Sequence, residues 1–400
     1  MSSELVVDPK MGPSTGSGRR VSSSRRAGRS DGRIVLQAWI ASRGLIAGVA
    51  LLLAVLEGRR LTDQVSNWDV QHFGRLAAGG YLADADGTLM AFFPGLPVLL
   101  SMGLDLGVPV AVTGVVLALA GSAVAAAALL RLGGPWAAVA WLFAPTAVFT
   151  AVPYTESLFC AAAFWAWERA RADRWLPAAV LTAIACTFRV SGVFLIGALV
   201  VMIITTRASR STVFKRLGLM LIPTSMVIIF MSYLHRLTGS WTAWFTAQQT
   251  GWVREFTWPW QSFLNTIPAA LPGAYADHPW WAAVFRAEVI AMAVGIAVTI
   301  GCVVLSIRAH RRGERPLWAE ASWVGVQVLA FSLSYWFFSV TRATLLWFPL
   351  WIFVGRWVGR VPTRPDRRIA HRALVGLAFG IEILLMLWWC WLFFTGHWAS

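Results

Sequence analysis

The side chains best suited to chemistry lie in one polar segment of a mostly apolar chain. This segment reads N-W-D-V-Q-H-F and contains Trp68, Asp69 and His72. In a helix, Asp69 and His72 share one side with the apolar Phe73. The segment therefore predicts a carboxylate and an imidazole acting as an acid–base pair at a membrane surface. The alternative is an ordinary polar loop, since aromatic and charged residues also collect at bilayer interfaces.

Composition excludes an ordinary soluble domain. The 400 residues are 58% hydrophobic and 13% charged, with 24 Trp, whereas soluble domains carry about 25% charged residues. The sequence predicts an all-α polytopic membrane protein whose main partner is the lipid bilayer. The net charge of +15 does not indicate nucleic-acid binding, because Lys and Arg cluster in short segments between apolar runs.

The cysteines indicate neither a disulfide framework nor a metal site. None of the four has the short Cys or His spacing of a zinc site, and all lie in apolar stretches, where they are interpreted as core residues. They are Cys160, Cys186, Cys302 and Cys390. No metal ligands are predicted.

Two regions follow from the distribution of apolar residues. Residues 1–35 are rich in Ser, Gly and Arg and are predicted to form a disordered basic cytoplasmic tail. Residues 36–400 are predicted to form the transmembrane domain. Its eleven expected spans are 38–57, 107–130, 136–152, 156–169, two within 176–205, 217–235, 282–306, 317–338, 344–358 and 373–395.

The positive charges predict the orientation of these spans. Most Lys and Arg fall on one set of connections, which places the amino terminus in the cytoplasm and the carboxyl terminus outside. Four polar features then share the external face. They are the Trp68-Asp69 loop, the turn at 153–157, the hairpin tip at Arg189 and the turn at 339–342, joined by an outer loop at 236–281.

Three further charged residues are candidates for the site. Glu156 begins an apolar run, where a charge costs up to ~2.5–3.5 kcal/mol at the membrane centre. It either lies in a capped first turn or orients an acceptor or a partner arginine. Arg189 is interpreted either as a phosphate ligand or as an ion-pair partner of Glu156, and Arg342 is a second candidate phosphate ligand.

Two other polar segments have plain structural interpretations. The loop from Thr238 to Trp260 interleaves aromatic residues with polar ones such as Gln248, and it suits either sugar binding or, preferably, an interfacial aromatic belt. Asp84 and Asp86 imitate the D-x-D pair of nucleotide-sugar enzymes. Beside Gly87 they are interpreted as a turn.

The order of these motifs resembles that of a known family. W-D-x-x-H-F-x-x-x-A-x-x-G-Y followed by F-F-P-x-x-P, and then P-Y-T-E-S-L-F with Tyr154 and Glu156, resembles the PIG-V-like mannosyltransferases of the GT-C type. Arg189-x-Ser191-Gly192 is similar to a family turn. Arg342 departs from the pattern, because a Pro–Arg–aromatic triplet is expected there. The resemblance extends over roughly residues 66–350.

The resemblance implies a fold and an activity. The fold would be a GT-C bundle of about eleven transmembrane helices with active-site loops on the outer face. The enzyme would transfer mannose, with inversion, from a polyprenyl-phosphate donor to a hydroxyl of a glycolipid, lipoglycan or protein. Asp69 would be the general base and His72 its orienting partner, while Arg189 and Arg342 would bind the donor phosphate. Tyr154, Glu156, Trp68 and Gln248 would serve the acceptor or the structure.

Other interpretations stay open. The resemblance implies no cofactor, and the sequence does not predict whether a divalent metal is needed. A bacterial plasma-membrane location is expected. A transporter or lipid flippase could also place Glu156 and Arg189 at helix breaks, and a related enzyme could use another prenyl-linked sugar.

Overall fold

The computed structural model describes the backbone of residues 17–399 and the side chains of residues 30–399. Within this part the chain is helical and contains no strand, so the all-α prediction is confirmed. The α-helices in chain order are α1 (Ser17–Glu57), α2 (Leu61–Gln64), α3 (Asp69–Gly79), α4 (Gly95–Asp105), α5 (Val110–Gly133), α6 (Pro135–Leu142), α7 (Glu156–Arg171), α8 (Trp175–Cys186), α9 (Ser191–Thr205), α10 (Arg210–Leu219), α11 (Leu221–Thr238), α12 (Ala243–Trp252), α13 (Pro259–Ala270), α14 (Pro279–Arg311), α15 (Trp318–Ser332), α16 (Val340–Ala343), α17 (Phe348–Gly359) and α18 (Pro365–Phe394). Short 3₁₀ turns lie at Thr88–Ala91, Ala147–Thr150 and Thr344–Leu346.

Five helical segments of the described chain are long and apolar enough to cross a bilayer. A helix rises about 1.5 Å per residue, so a hydrocarbon core of ~30 Å needs about 20 apolar residues. The segments are Ser30–Glu57, Val110–Gly133, Arg210–Thr238, Pro279–Arg311 and Pro365–Phe394. The protein is therefore a multi-pass membrane protein, as its composition predicts.

The remaining predicted spans are shorter or divided. The apolar run 176–205 is two helices, α8 and α9, as predicted, with the break at 187–190. The run 136–152 is not one span, because α6 ends at Leu142 and a separate 3₁₀ turn follows at Ala147–Thr150. Pro145 lies between them, and a helix usually ends before a proline. The number of eleven spans stays a prediction.

The first helix extends into the predicted tail. It begins at Ser17, and the Arg- and Ala-containing sequence that follows is compatible with a helix. Residues 1–16 of the predicted tail lie outside the described residues. The division of the chain at residue 35 stays a prediction.

Buried tryptophans fix the segment that follows α16. The indole N–H of Trp141 donates to the carbonyl of Leu345 at 2.9 Å, and that of Trp323 donates to Leu346 at 3.0 Å. Both side chains are fully buried, and a buried indole N–H usually requires such an acceptor. The two bonds hold the 3₁₀ turn Thr344–Leu346, and hence the end of α16, against the core.

The break between α8 and α9 is held by close backbone contacts. The N–H of Gly95, at the start of α4, donates to the carbonyl of Thr187 at 2.7 Å. A Cβ at Gly95 would lie 2.6 Å from Thr187 Oγ1, and one at Gly192 would lie 2.6 Å from the Cα of Cys186. Glycine at these two positions lets three helix ends meet closely beside Arg189.

Candidate active site

The predicted site residues converge on one large cavity. Its volume is about 1390 Å³, and eight separate segments of the chain line it. The lining includes seven of the eight predicted site residues: Trp68, Asp69, His72, Tyr154, Arg189, Gln248 and Arg342. Glu156 is completely buried directly behind this lining. The four polar features predicted to share a face therefore meet at one place.

Asp69 is the first residue of α3 and is held from two directions. Its Oδ2 atom lies 3.1 Å from Nη1 of Arg342. Its backbone N–H, one of the groups that a helix leaves unpaired at its start, donates to the hydroxyl of Tyr154 at 3.2 Å. Within the described chain, Oδ1 forms no hydrogen bond. The carboxylate is thus fixed through one oxygen, while its side chain remains 17% exposed.

Arg342 connects the two carboxylates of the site. Its Nη1 contacts Asp69, and its Nε lies 3.0 Å from Oε1 of Glu156. The guanidinium also lies over the rings of Phe149 and Tyr154, at 5.2 and 5.1 Å. Burial alone would lower the pKa of Arg342, but the charges of Glu156 and Asp69 raise it above its ordinary value. Arg342 therefore remains a cation.

Glu156 and Arg189 form the ion pair that was one of the two interpretations from the sequence. Nη1 of Arg189 lies 2.7 Å from Oε1 of Glu156 and donates to Thr155 Oγ1 at 2.9 Å. The same oxygen of Glu156 also faces Arg342. Two arginines and two carboxylates thus form one connected and formally neutral network, which runs from Asp69 through Arg342 and Glu156 to Arg189.

A buried glutamate that belongs to no sequence motif positions Arg342. Glu288, in α14, is fully buried. Its Oε2 accepts from the N–H groups of Val340 and Thr341 at 2.6 and 3.1 Å, and its Oε1 accepts from the Thr341 hydroxyl at 2.9 Å. These bonds fix the first residues of α16. The signal in the sequence was a carboxylate inside a long apolar helix, where charge is costly and usually functional.

His72 does not hold Asp69. No hydrogen bond joins the two side chains; instead Nδ1 of His72 lies 2.8 Å from Nη2 of Arg75. The ring stacks on Phe92 at 5.3 Å and meets the edge of Trp252 at 5.9 Å. Burial lowers the pKa of His72. Asp69 is held instead by Arg342, in α16, and by Tyr154, in the segment before α7.

Trp68 and Gln248 make structural hydrogen bonds at the edge of the cavity. The indole N–H of Trp68 donates to the carbonyl of His397 at 3.1 Å, and Trp68 itself has a left-handed backbone with φ of 58°. Gln248 donates to the carbonyl of Ala91 at 3.2 Å. Through such contacts α12, part of the predicted aromatic outer loop, forms one wall of the cavity.

Asp84 and Asp86 have the positions expected of a turn. Asp84 Oδ1 pairs with Arg75 at 2.8 Å, and Asp86 Oδ1 accepts from the N–H of Thr88 at 3.0 Å. Gly87, between them and the 3₁₀ turn, has φ of 71°. These contacts agree with the interpretation of the pair as a turn.

The carboxyl-terminal segment contributes to the site, which no motif indicated. Gly396, Trp398 and Ala399 line the cavity. The amide of Asn67 donates to the carbonyl of Phe393 at 2.7 Å and so connects the start of the Asp69 segment to the end of α18.

Similarity to known proteins covers part of the chain. The chain is 32% identical over 156 residues to GPI alpha-1,6-mannosyltransferase 2 of Mus musculus. It is identical to the same extent to the enzyme of that name from Cricetulus griseus. Each alignment covers 34% of this chain and 31% of the relative, so the chain spans about a third of the length of the curated relatives it matches. No family model matches the chain.

Similar solved structures include ArnT from Cupriavidus metallidurans, bound to undecaprenyl phosphate and in the apo state. The bound form has a TM-score of 0.47 and 15% identity and covers 89% of this chain and 76% of its own. The apo form has a TM-score of 0.45 and 15% identity, with coverages of 81% and 70%. Such scores do not establish a common fold. The sequence similarity confirms the relationship predicted from the motifs: over about a third of its length, this chain is related to the PIG-V-like mannosyltransferases.

Proposed function

We propose that the protein is a GT-C type membrane glycosyltransferase that moves mannose from a polyprenyl-phosphate donor to an acceptor hydroxyl, inverting the anomeric carbon. The observation that carries the proposal is Asp69, fixed through one oxygen by Arg342 at the edge of a large cavity. The name of the mannosyltransferase relatives supports the choice of sugar.

Asp69 acts as the general base. An alcohol has a pKa far above 7, so its attack on the anomeric carbon profits from a carboxylate that takes the proton as the bond forms. Arg342 and Tyr154 fix the position of Asp69, while Oδ1 is available to the acceptor. In an inverting reaction the leaving phosphate departs from the sugar face opposite to this base.

The walls of the cavity suit a lipid-linked donor. One wall carries cationic groups, which stabilise the charge that develops on a departing phosphate. Another wall is apolar and belongs to α9, α11 and the break before α9. Its residues are Phe188, Val190, Val193, Phe194, Val227 and Met231. A prenyl chain would lie along this wall, with its phosphate at the polar end.

The cellular setting completes the proposal. The distribution of Lys and Arg supports a cytoplasmic amino terminus and a cavity that opens on the outer face of a bacterial plasma membrane. A lipid-linked donor suits that face, because it does not depend on a nucleotide sugar outside the cell. The acceptor is a lipid-linked glycan or a protein.

The test is transfer by the purified protein in detergent. Radiolabelled mannosyl-phosphoprenol is incubated with candidate lipid and protein acceptors, and we expect label in the acceptor fraction without any transmembrane gradient. Transfer under these conditions excludes pure transport. Label that stays on the donor with every acceptor, while a donor with a different prenyl-linked sugar does react, would refute mannose as the substrate.

A further inference from the structure

We propose that Arg254 is the cation that binds the phosphate of the lipid-linked donor, an inference that rests on the proposed function. The family resemblance predicts Arg189 and Arg342 for this role. In the structure both of these side chains already pair with carboxylates of the same network. Their positive charges are therefore balanced before a donor arrives.

Arg254 lines the same cavity without such a partner. Among the described residues its guanidinium makes no ion pair, and its buried Nε atom has no hydrogen-bond partner. Two acidic residues also line this region, but both are otherwise engaged. Glu255 accepts from Gln249 at 3.4 Å, and Asp86 accepts from the backbone of Thr88. Neither of these carboxylates pairs with Arg254, so its guanidinium lines the cavity without a counter-ion in the described chain.

The local backbone holds Arg254 in position. Val253, which precedes it at the end of α12, has a left-handed conformation with φ of 52°. This conformation is costly for a β-branched residue, and such strain is concentrated at functional positions. Beyond Arg254, the N–H of Thr257 donates to the carbonyl of Leu333 at 3.0 Å. The guanidinium lies 5.7 Å from the centre of the Phe331 ring.

The unpaired guanidinium of Arg254 is suited to bind an anion. Burial, followed by the charges of Arg342 and Arg189, lowers the pKa of Arg254 to about 10, so the side chain is still a cation at neutral pH. A phosphate would offset the cost of burying this cation, which is the largest cause of the lowered pKa. It would also supply acceptor oxygens to a guanidinium that can bind two of them at once.

Transfer of the sugar makes one bond at the anomeric carbon and breaks another. The acceptor oxygen forms a bond to the anomeric carbon while the bond from that carbon to the phosphate oxygen breaks, and the electron pair leaves with the phosphate. The acceptor proton passes to Asp69. Arg254 stabilises the additional negative charge on the prenyl phosphate, which is the second product.

The experiment measures how strongly binding depends on the phosphate group. A short-chain polyprenyl phosphate and the matching polyprenol are titrated into detergent-purified wild type, Arg254→Gln, Arg254→Lys and Arg59→Gln. Arg59 is a matched control, because its ion pair with Glu57 lies outside the cavity. We expect Arg254→Gln to weaken phosphate binding about 10- to 100-fold, the loss typical of a charged hydrogen bond, with polyprenol binding unchanged. Arg254→Lys should retain part of the preference.

The outcomes separate the inference from the proposed function. Wild type that binds polyprenol as tightly as polyprenyl phosphate would refute the donor class, and the role of Arg254 with it. If wild type binds polyprenyl phosphate more tightly than polyprenol and Arg254→Gln keeps this preference in full, only the role of Arg254 is refuted. If Arg254→Gln fails to fold, a full wild-type preference in Arg254→Lys overturns the inference, and a weakened one supports it.

Discussion

Asp69 is the residue on which the proposed chemistry depends most. Asp69→Asn keeps the shape of the side chain. The hydrogen bond to Arg342 is weakened but not lost, whereas the amide cannot accept a proton. We expect transfer to fall by ~10²–10⁴-fold, the usual contribution of a general base. The rate is measured with labelled donor on protein that is verified as folded and donor-binding.

Asp84→Asn is the matched control for this change. Asp84 is a carboxylate of the same outer segment, but it pairs with Arg75 and does not line the cavity, so its loss should leave transfer nearly unchanged. If Asp69→Asn transfers mannose within about threefold of the wild-type rate, the loss is far smaller than the loss of a general base should cause. Asp69 would then not be the base, and Glu156 would be the next candidate.

The Glu156–Arg189 pair should behave as one unit in stability measurements. Breaking a buried ion pair costs about 3–5 kcal/mol when the other charge is left without a partner. Glu156→Gln leaves Arg189 in that state, whereas after Arg189→Gln the carboxylate of Glu156 keeps Arg342. We therefore expect Glu156→Gln and Arg189→Gln each to lower the thermal stability in detergent. The double variant should lose little more than Glu156→Gln alone.

The exposed pair Glu57–Arg59, 3.6 Å apart, provides the comparison for this cycle. Surface pairs contribute only ~0–1 kcal/mol, so the corresponding variants should show almost no coupling. Strictly additive losses at Glu156 and Arg189 would mean that the two side chains do not depend on each other.

Single residues of the site were more predictable than their partners. Asp69, Glu156 and Arg189 were conspicuous because charge is rare in an apolar chain. Spacing within one segment suggested that His72 holds Asp69, whereas the structure uses Arg342, from a distant turn, because tertiary packing rather than helical spacing decides which side chains meet. The role of Arg342 at Asp69 could not be read from its own neighbours in sequence.

At the scale of elements, the close contact between the end of α8 and the start of α9 is the feature to test, because Arg189 lies in the break between them. A Cβ at Gly192 would lie 2.6 Å from the Cα and 2.7 Å from Sγ of Cys186. Gly192→Ala should therefore destabilise the protein by about 1–3 kcal/mol, as overpacking usually does. Thermal unfolding in detergent measures the loss.

Gly197 provides the matched control in the same helix. No atom lies within 4 Å of a Cβ built there, so Gly197→Ala should be neutral or slightly stabilising through helix propensity, by up to ~1 kcal/mol. If the two substitutions change the thermal stability equally, the contact between α8 and α9 does not require glycine at residue 192.

Helix breaks were predicted with uneven success. The charges on both sides of 176–205 required two crossings, so the break near Arg189 followed from the positive-inside rule. The end of α6 at Leu142 did not follow from hydropathy, because the sequence stays apolar through Val152. The buried Glu288 that holds α16 was visible in the sequence, but its partners are backbone N–H groups, which no side-chain pattern reveals.

For the whole molecule, the orientation in the membrane is the prediction to test. Cysteines introduced at the exposed positions Ala83, Gln249 and Ala276 should react with an impermeant thiol reagent added to intact cells, while those at Ser211 and Arg312 should not. The four native cysteines are buried, so the background should be low. Reaction of the second group alone would invert the orientation and move the cavity to the cytoplasmic side.

The network also sets an order of assembly during synthesis. Arg189 follows Glu156 by 33 residues, so the buried carboxylate gains its first partner as soon as the α8–α9 hairpin has been made. Arg342 follows Asp69 by 273 residues. A nascent chain that stops before α16 therefore contains the strongest motifs and a neutralised Glu156, but its Asp69 still lacks Arg342. The position of the Asp69 carboxylate is fixed only after α16 has been made.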